Sequence, residues 1–202
     1  MKVLLVNGSP HAQGCVYTAL MEIAGTLESE GVDWELFQIG DGPVRGCTGC
    51  NACGKTGRCV YKDDVCNALI ERMVAADGVI VGSPVYYAGP NGALCALLDR
   101  VFYAAQPELE YKPAAAIVNC RRGGASAAFD RLNKYFTINK MPLATSQYWN
   151  SVHGRCPEDV KRDAEGLQTM RTLAHSMARL LRCTAGQPTQ EPEPRQVTNF
   201  IR

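Results

Sequence analysis

The sequence predicts one α/β domain with helices on both faces of a five-stranded parallel sheet in the strand order 2-1-3-4-5. Short apolar runs alternate with longer segments whose apolar residues recur at helical spacing, which favours parallel strands joined by crossover helices. The chain has 202 residues, 46% of them hydrophobic, enough to bury one sizeable core. We assign residues 1–185 to this domain. The polar, Pro-rich tail 186–202 is expected to be extended or disordered.

The first half of the chain reads strand, helix, strand, helix. Lys2–Val6 is a short apolar run that ends at Asn-Gly, as buried strands do. Apolar residues at helical spacing predict a helix over Tyr17–Glu30, and a glycine follows it. Val32–Ile39 alternates as a second strand. After a cysteine-rich loop, Asp63-Asp64 offers an N-cap for the next helix.

The second half continues the same alternation. Gly78–Val81 is an apolar run that closes on Ser-Pro and predicts the third strand. Asn91 is a helix cap, and apolar residues at helical spacing follow it as far as Val101. The remaining predicted elements are a strand at Ala114–Val118, a helix near Ala127–Tyr135, a fifth strand near Ala144–Trp149 and a long helix at Glu158–Leu181.

The stretch CTGCNACGKTGRC, residues 47 to 59, carries two overlapping motifs. From Gly49 it matches the phosphate-binding P-loop G-x-x-x-x-G-K-T. A functional P-loop leaves a buried strand and runs directly into a helix. Here residues typical of turns precede the motif, and Gly57 is a poor residue for a first helical turn. We therefore reject the nucleotide triphosphatase interpretation.

A better candidate for a phosphate site is NGSPHAQG, residues 7 to 14, between the first strand and the first helix. A glycine permits the tight turn, and the helix start favours an anion. The alternative is an ordinary strand–helix turn that a serine caps. The candidate phosphate ligands are the Ser9 hydroxyl, His11 and the backbone N–H groups of Gly14, Cys15 and Val16.

Three motifs together resemble the NADPH-dependent FMN reductase-like flavoproteins of flavodoxin-like fold. They are VNGSPHAQG, GSPVYYAGPNGALCALLDR at 82–100 and NCRRGG at 119–124, and the resemblance extends from residue 2 to about 181. It implies a bound FMN, with its phosphate on the first loop and its ring between the other two. The family's usual Asn-Thr is replaced here by Cys15-Val16, for which Tyr17 or Thr18 could substitute.

The resemblance also places the ring contacts. Pro84 and Val85 would present backbone to the flavin edge, and Tyr86 and Tyr87 would flank the ring. After the fourth strand, positive charge from Arg121 or its neighbour could stabilise the anionic reduced flavin. Two glycines there allow close backbone approach. The candidate ring-site residues on this loop are Asn119, Arg121, Gly123 and Gly124.

The cysteine spacing C-x2-C-x2-C-x5-C resembles the motif of iron–sulfur flavoproteins, a branch of the same superfamily. Three interpretations remain open: a 4Fe-4S cluster, a zinc site, and a cluster-free loop of structural or reactive thiols. We expect the cluster-free loop, and an iron–sulfur cluster if the loop holds metal. The candidate ligands are Cys47, Cys50, Cys53 and Cys59.

These features predict an FMN-dependent NAD(P)H oxidoreductase that passes electrons to a quinone, a flavin or another small acceptor. The alternative is an iron–sulfur flavoprotein that relays electrons between redox proteins. A formal net charge of +1 argues against nucleic-acid partners, and we expect no membrane association. Ten cysteines and no signal-peptide core favour reduced thiols and the cytoplasm. The resemblance and the exposed aromatic residues favour a homodimer or homotetramer.

Overall fold

The computed structural model describes residues 1–188 and, beyond them, residues 191, 193–194 and 196–198. Five parallel strands form the sheet, and their spatial order is β2-β1-β3-β5-β6. A sixth strand, β4, pairs antiparallel with β3. The strands are β1 Lys2–Asn7, β2 Asp33–Gln38, β3 Gly78–Tyr86, β4 Gly89–Pro90, β5 Ala114–Cys120 and β6 Ser151–His153. Counting the parallel strands alone gives 2-1-3-4-5, which confirms the predicted topology.

Helices cover both faces of the sheet and divide the core into two apolar clusters. One cluster joins the sheet to α3, α4 and α5, and the other joins it to α1, α6 and α7. β5 is buried along its whole length, as expected for a strand covered on both faces. The helices are α1 Cys15–Ser29, α2 Cys53–Thr56, α3 Cys66–Ala75, α4 Gly92–Leu109, α5 Ala125–Ile138, α6 Pro157–Arg162 and α7 Ala164–Thr184.

The predicted fifth strand near Ala144–Trp149 was wrong. The strand is Ser151–His153, which pairs with β5 and places Val152 in the core. In the predicted segment, Tyr148 and Trp149 are both more than half exposed. Sheet pairing follows the residue that can be buried, so the strand begins after these aromatic residues.

The predicted helix Glu158–Leu181 is two helices, α6 and α7. The break lies at Asp163, whose carboxylate accepts a hydrogen bond from the backbone N–H of Gly166 at 3.0 Å and so caps a new helix. The same kind of local competition changes the start of α3. Its N-cap is Val65, although Asp64 does accept from the N–H of Cys66 at 3.0 Å.

Within the described residues, no helix is long and apolar enough to cross a membrane. In the tail, the described positions 186–188, 191, 193–194 and 196–198 are exposed and form neither helix nor strand. The rest of the predicted extended or disordered tail lies outside the described residues.

Candidate functional site

Three loops that follow neighbouring parallel strands meet at one edge of the sheet. β1, β3 and β5 lie side by side in the same direction, with Val6 beside Val81 and Val81 beside Ala116. The strand order reverses between β1 and β3, which creates the crevice where open α/β sheets receive ligands. The structure thus brings together the three motif loops, 7–14, 83–91 and 119–124.

The first loop is shaped by Asn7, the last residue of β1. Its Oδ1 accepts from the N–H of Ser9 at 3.1 Å, and its Nδ2 donates to the carbonyls of His11 and Ala12 at 3.3 and 3.4 Å. The Ser9 hydroxyl accepts from the N–H of His11 at 3.1 Å, and Gln38 donates to the Ser9 carbonyl at 2.7 Å. The hydroxyl proton therefore remains available to a bound anion. Asn7 and Gln38 hold this loop in place, and no sequence motif had indicated that role.

The start of α1 is open to an anion. Gly14 is the N-cap in an extended conformation, and this fully described segment has neither a side-chain cap nor an acidic residue in the first helical turn. The Gly14 N–H makes only a long bond, 3.4 Å, to the His11 carbonyl. The N–H groups of Cys15 and Val16 come next, where a helix offers donors without intrahelical partners. The helix dipole adds to their attraction for negative charge.

The side chains of this first turn have other contacts. Cys15 Sγ lies 3.8 Å from the Gly154 carbonyl, and burial raises the pKa of this thiol above its usual range. Val16 is part of the core, and the Thr18 hydroxyl donates to the carbonyl of the helix N-cap at 3.1 Å. Thr18 is therefore engaged, while Tyr17 remains half-buried. At positions 15–16, any donor to an anion would therefore be a backbone N–H group.

Two glycines tie the first loop to the second. The Gly8 N–H donates to the Gly82 carbonyl at 2.8 Å. A Cβ on Gly8 would lie 2.5 Å from that oxygen and 2.4 Å from Leu94 Cδ2, so no larger residue fits. Asn91 completes the tie, because its amide donates to the Gly8 carbonyl at 2.8 Å and its N–H donates to the Ser83 hydroxyl at 2.9 Å. Asn91 also caps α4, as the sequence predicted.

The second loop is a hairpin that the sequence did not predict. The third strand was expected to span Gly78–Val81, but β3 continues to Tyr86 and turns back into β4. Pro84 pairs in register with β5, so buried pairing carries the strand past Ser-Pro. Tyr87 and Ala88 form the turn with φ of +49° and +59°, values that non-glycine residues rarely adopt.

The predicted ring contacts differ in burial along this hairpin. Pro84 is buried and Val85 is half-buried, so this part of the hairpin packs against the domain. Tyr86 is 44% exposed, and Tyr87 is fully exposed at the tip of the turn. Tyr87 is therefore not packed against the rest of this chain.

The third loop is seated against the hairpin by Gly124. This residue has φ of +89°, and a Cβ would lie 2.8 Å from Ala88 Cα and 3.0 Å from Val85 Cγ1. Only glycine combines this conformation with this close approach. A Cβ on Gly123, by contrast, would meet no atom within 4 Å beyond its neighbours in the chain. The small size of Gly123 leaves room for a ligand but is not required by packing.

The other residues of the third loop have different surroundings. The Asn119 amide donates to the carbonyls of Val152 and Gly154 at 3.4 and 3.3 Å. This side chain therefore joins β5 to the segment after it and positions the loop. Arg121 and Arg122 are both exposed at the same edge of the sheet.

The four motif cysteines line one small pocket, separate from the three loops. The opposite wall belongs to α4, which contributes Arg100 and Tyr103. Helix rise places that wall about 12 to 17 Å along α4 from its first residue. The thiols, all free, are exposed Cys47 and Cys50 and half-buried Cys53 and Cys59.

The thiols fit one kind of metal group better than another. Among the described residues, no three His, Cys, Asp or Glu side chains are grouped as ligands of a single metal ion. Zinc needs such a tight set, whereas each thiolate of a 4Fe-4S cluster binds a different iron. Cluster ligands therefore stand farther apart. Four thiols around one pocket fit that donor set.

The P-loop interpretation has no structural support in this segment. Residues 39–52, all of them described, form neither strand nor helix, and Lys55 lies in the four-residue helix α2. Gly57 ends that helix in a left-handed conformation. The strand and the long helix that a P-loop requires are both missing from positions 39 to 57.

Arg100 anchors the cysteine loop, a role that was not predicted from the sequence. This residue is only 2% exposed, and it forms an ion pair with Asp64. Its Nε donates to Cys59 Sγ at 3.2 Å, and its Nη1 donates to the Arg45 carbonyl at 3.1 Å. The sequence signal that could have identified Arg100 is its position as a charged residue among the buried apolar positions of α4.

The electrostatics of this cluster follow from burial and pairing. Burial alone would raise the pKa of Asp64, but hydrogen bonds from Arg100 and from the backbone of Cys66 and Arg45 outweigh it and lower that pKa. The pKa of Arg100 is raised, because pairing with Asp64 and the contact with Cys59 outweigh its burial. Burial raises the pKa of Cys66 to about 12. The Arg100–Asp64 pair is therefore fully charged, and Cys66 is a protonated thiol beside it.

A parallel sheet of order 2-1-3-4-5, with an anion-ready first loop and two further loops around the switch point, defines a flavodoxin-like flavoprotein. The chain belongs to the NADPH-dependent FMN reductase family, whose sequence model matches residues 1–155. This confirms the predicted resemblance and makes the protein a flavin-dependent oxidoreductase.

Relatives extend the match over most of the chain. An iron-sulfur flavoprotein of Methanocaldococcus jannaschii is 31% identical over 190 residues, covering 90% of this chain and 98% of the relative. An iron-sulfur flavoprotein of Archaeoglobus fulgidus is 29% identical over 198 residues, covering 91% of this chain and 97% of the relative. The match thus covers nearly the whole length of both relatives.

Solved structures share the fold. RosB, solved with 8-demethyl-8-formylriboflavin-5'-phosphate bound, superposes with a TM-score of 0.75 at 13% identity, over 100% of this chain and 92% of its own. A flavodoxin from Archaea gives a TM-score of 0.62 at 16% identity, over 90% of this chain and 99% of its own. Identities this low establish the common fold alone.

Proposed function

We propose that this protein oxidises NAD(P)H and passes the electrons to a small acceptor such as a quinone or a free flavin. Bound FMN supplies the hydride and electron chemistry. The protein's residues bind, orient and tune it. The observation that carries the proposal is the meeting of three motif loops at the strand-order reversal, the first of which leads into the uncapped start of α1.

The residues of the crevice fit FMN. The Ser9 hydroxyl and the N–H groups of Cys15 and Val16 suit a phosphate, since they combine fixed donors with the positive end of α1. Gln38 Oε1 is a buried acceptor without a hydrogen-bond partner among the described residues. A ribityl hydroxyl is a donor that would satisfy it. Val85 would line the ring.

A second function is favoured by the cysteine pocket. Relatives that span most of this chain are named iron-sulfur flavoproteins, and the four motif thiols line a single pocket. We propose that these thiols hold a 4Fe-4S cluster and that the protein can pass electrons onward through it. This proposal replaces the expectation of a cluster-free loop. The cysteine spacing alone did not show that the four thiols share one pocket, and it did not include the relatives.

The flavin proposal is tested with anaerobic protein reconstituted with FMN. Addition of NADPH or NADH should bleach the visible flavin absorbance within seconds, and a quinone should restore it. In protein purified without added flavin, chromatography of the heat-released flavin should show FMN and no FAD. Flavin that neither nucleotide bleaches, although dithionite does, would contradict NAD(P)H as the donor while leaving FMN binding intact.

The cluster proposal has its own readout. Anaerobic reconstitution should give about four irons per chain, as one cubane requires. Replacing Cys50 and Cys53 by Ser should abolish iron uptake and leave FMN bound. The matched control is Cys183→Ser, an exposed cysteine outside the loop, which should keep the iron. Wild-type protein that takes up no iron would remove the cluster from the proposed function.

We also propose a homo-oligomer in the cytoplasm. Tyr87, Tyr148 and Trp149 are exposed aromatic residues, and such surface is commonly covered by a second subunit. Cluster ligation by the motif cysteines needs reduced thiols, which the cytoplasm maintains. Sedimentation should show at least a dimer at micromolar concentration. A monomer with full flavin occupancy would contradict the proposed assembly.

A further inference from the structure

Arg100 makes its contacts on both sides of the four-cysteine stretch. Nη1 donates to the carbonyl of Arg45, just before the stretch, and to the carboxylate of Asp64, just after it. Nη2 lies 3.5 Å from the carbonyl of Tyr61, and Nε donates to Cys59 Sγ at 3.2 Å. One guanidinium therefore fixes the base of the loop and also contacts one of its thiols.

Burying Arg100 with Asp64 brings little net stability, while one of its donors is directed at a motif thiol. A buried ion pair is roughly neutral for stability when compared with apolar residues of similar volume, because desolvation offsets the attraction. The Arg100 and Asp64 side chains are 1% and 4% exposed. Asp64 takes one of the guanidinium's five N–H donors, and the Nε–H is directed at sulfur.

We propose that Arg100 is a positioning residue that raises the reduction potential of the cluster held by Cys47, Cys50, Cys53 and Cys59. The inference rests on the proposed cluster. A ligating thiolate carries negative charge, and one-electron reduction increases the negative charge on the cluster and its sulfurs. The hydrogen bond from the charged Arg100 Nε–H to Cys59 Sγ becomes stronger as the sulfur becomes more negative. This hydrogen bond therefore favours the reduced state of the cluster.

Desolvation makes this effect specific to Arg100. Arg58 is adjacent to Cys59 in sequence, but it is half exposed and pairs with Glu71. Solvent screens its charge, whereas the Arg100 guanidinium is shielded from water. Arg58 and Arg100 are thus a matched pair near Cys59, and Arg100 is the one whose guanidinium contacts the sulfur.

The test measures the cluster's midpoint potential by anaerobic titration with dithionite, monitored by electron paramagnetic resonance. The variants are Arg100→Lys, which keeps the charge and loses the Nε–H, and Arg100→Gln combined with Asp64→Asn, which removes the pair without leaving a buried charge. Arg58→Gln is the control. Iron content, FMN content and circular dichroism are recorded for each protein.

We expect both Arg100 variants to have a lower potential, and the double variant to differ from wild type by at least about tenfold in the equilibrium constant of reduction. For a one-electron couple that is about 59 mV. Arg58→Gln should change the constant less than about threefold.

Other outcomes overturn the inference. Lower iron content with an unchanged potential in the remaining clusters would show that Arg100 only holds the loop. An equal shift of the midpoint potential in Arg58→Gln would show that any nearby positive charge has this effect, without contact to sulfur. Loss of FMN and of helical signal in both Arg100 variants would assign it a purely structural role. Wild-type protein without iron would remove the cluster and this inference together, while bleaching of FMN by NAD(P)H would still test the flavin function separately.

Discussion

Gly124→Ala should destabilise the protein and weaken FMN binding, because Gly124 is the contact between the second and third loops. Its φ of +89° is unfavourable for alanine, at a cost of roughly 1–2 kcal/mol. The new Cβ would also lie 2.8 Å from the Cα of Ala88, a backbone atom that cannot rotate away. Overpacking of this kind costs roughly 1–3 kcal/mol.

The two terms sum to roughly 2–5 kcal/mol of unfolding free energy, less up to about 1 kcal/mol for the reduced entropy of the unfolded chain. The hairpin can relieve part of the strain by moving away from the third loop, which would widen the crevice. We expect FMN affinity to fall about tenfold or more, since each 1.4 kcal/mol is a factor of about ten.

The assay is urea denaturation of the flavin-free protein, followed by FMN titration with fluorescence quenching. Gly123→Ala is the matched control, because it adds the same methyl group at the adjacent position, where nothing lies within 4 Å and φ is not positive. The control should unfold within about 0.5 kcal/mol of wild type. If Gly124→Ala is as stable as Gly123→Ala, the close approach of the two loops does not constrain the fold.

Ser9→Ala should weaken FMN binding by about 1–3 kcal/mol through one lost hydrogen bond to a charged group, as measured by calorimetric titration. Lys55→Ala should leave that affinity unchanged, and an ATPase activity that disappears with Lys55 would restore the P-loop interpretation. In iron-free protein, the stability contributed by the Cys66 thiol should be fully present below about pH 9 and lost as pH rises toward 12, because burial raises its pKa from 9.0 to about 12. Relative to Cys66→Ala in reducing buffer, wild type should lose roughly 1.4 kcal/mol of unfolding free energy between about pH 8 and pH 10, and equal slopes for the two proteins would contradict the assignment.

The sequence by itself determined the topology and the place of the candidate flavin site. Alternating apolar runs and helical periods require parallel strands, and the carboxyl ends of parallel strands meet at one edge of a sheet. Motifs that follow β1, β3 and β5 therefore had to converge, wherever the exact strand ends fell. Short-range signals were also sufficient for the Asn91 cap, because capping involves residues only two or three positions apart.

The tertiary structure decided the contacts between distant positions. Arg100 and Asp64 are 36 residues apart, and the residues around each of them do not indicate that the two will pair. Gly124 needs its small size because of Val85 and Ala88, which reach it only when β3 continues into the hairpin. The fifth strand began at 151 because Val152 can be buried beside β5. Burial and pairing depend on what the fold brings alongside, and local propensity carries no information about a neighbour that arrives from elsewhere in the chain.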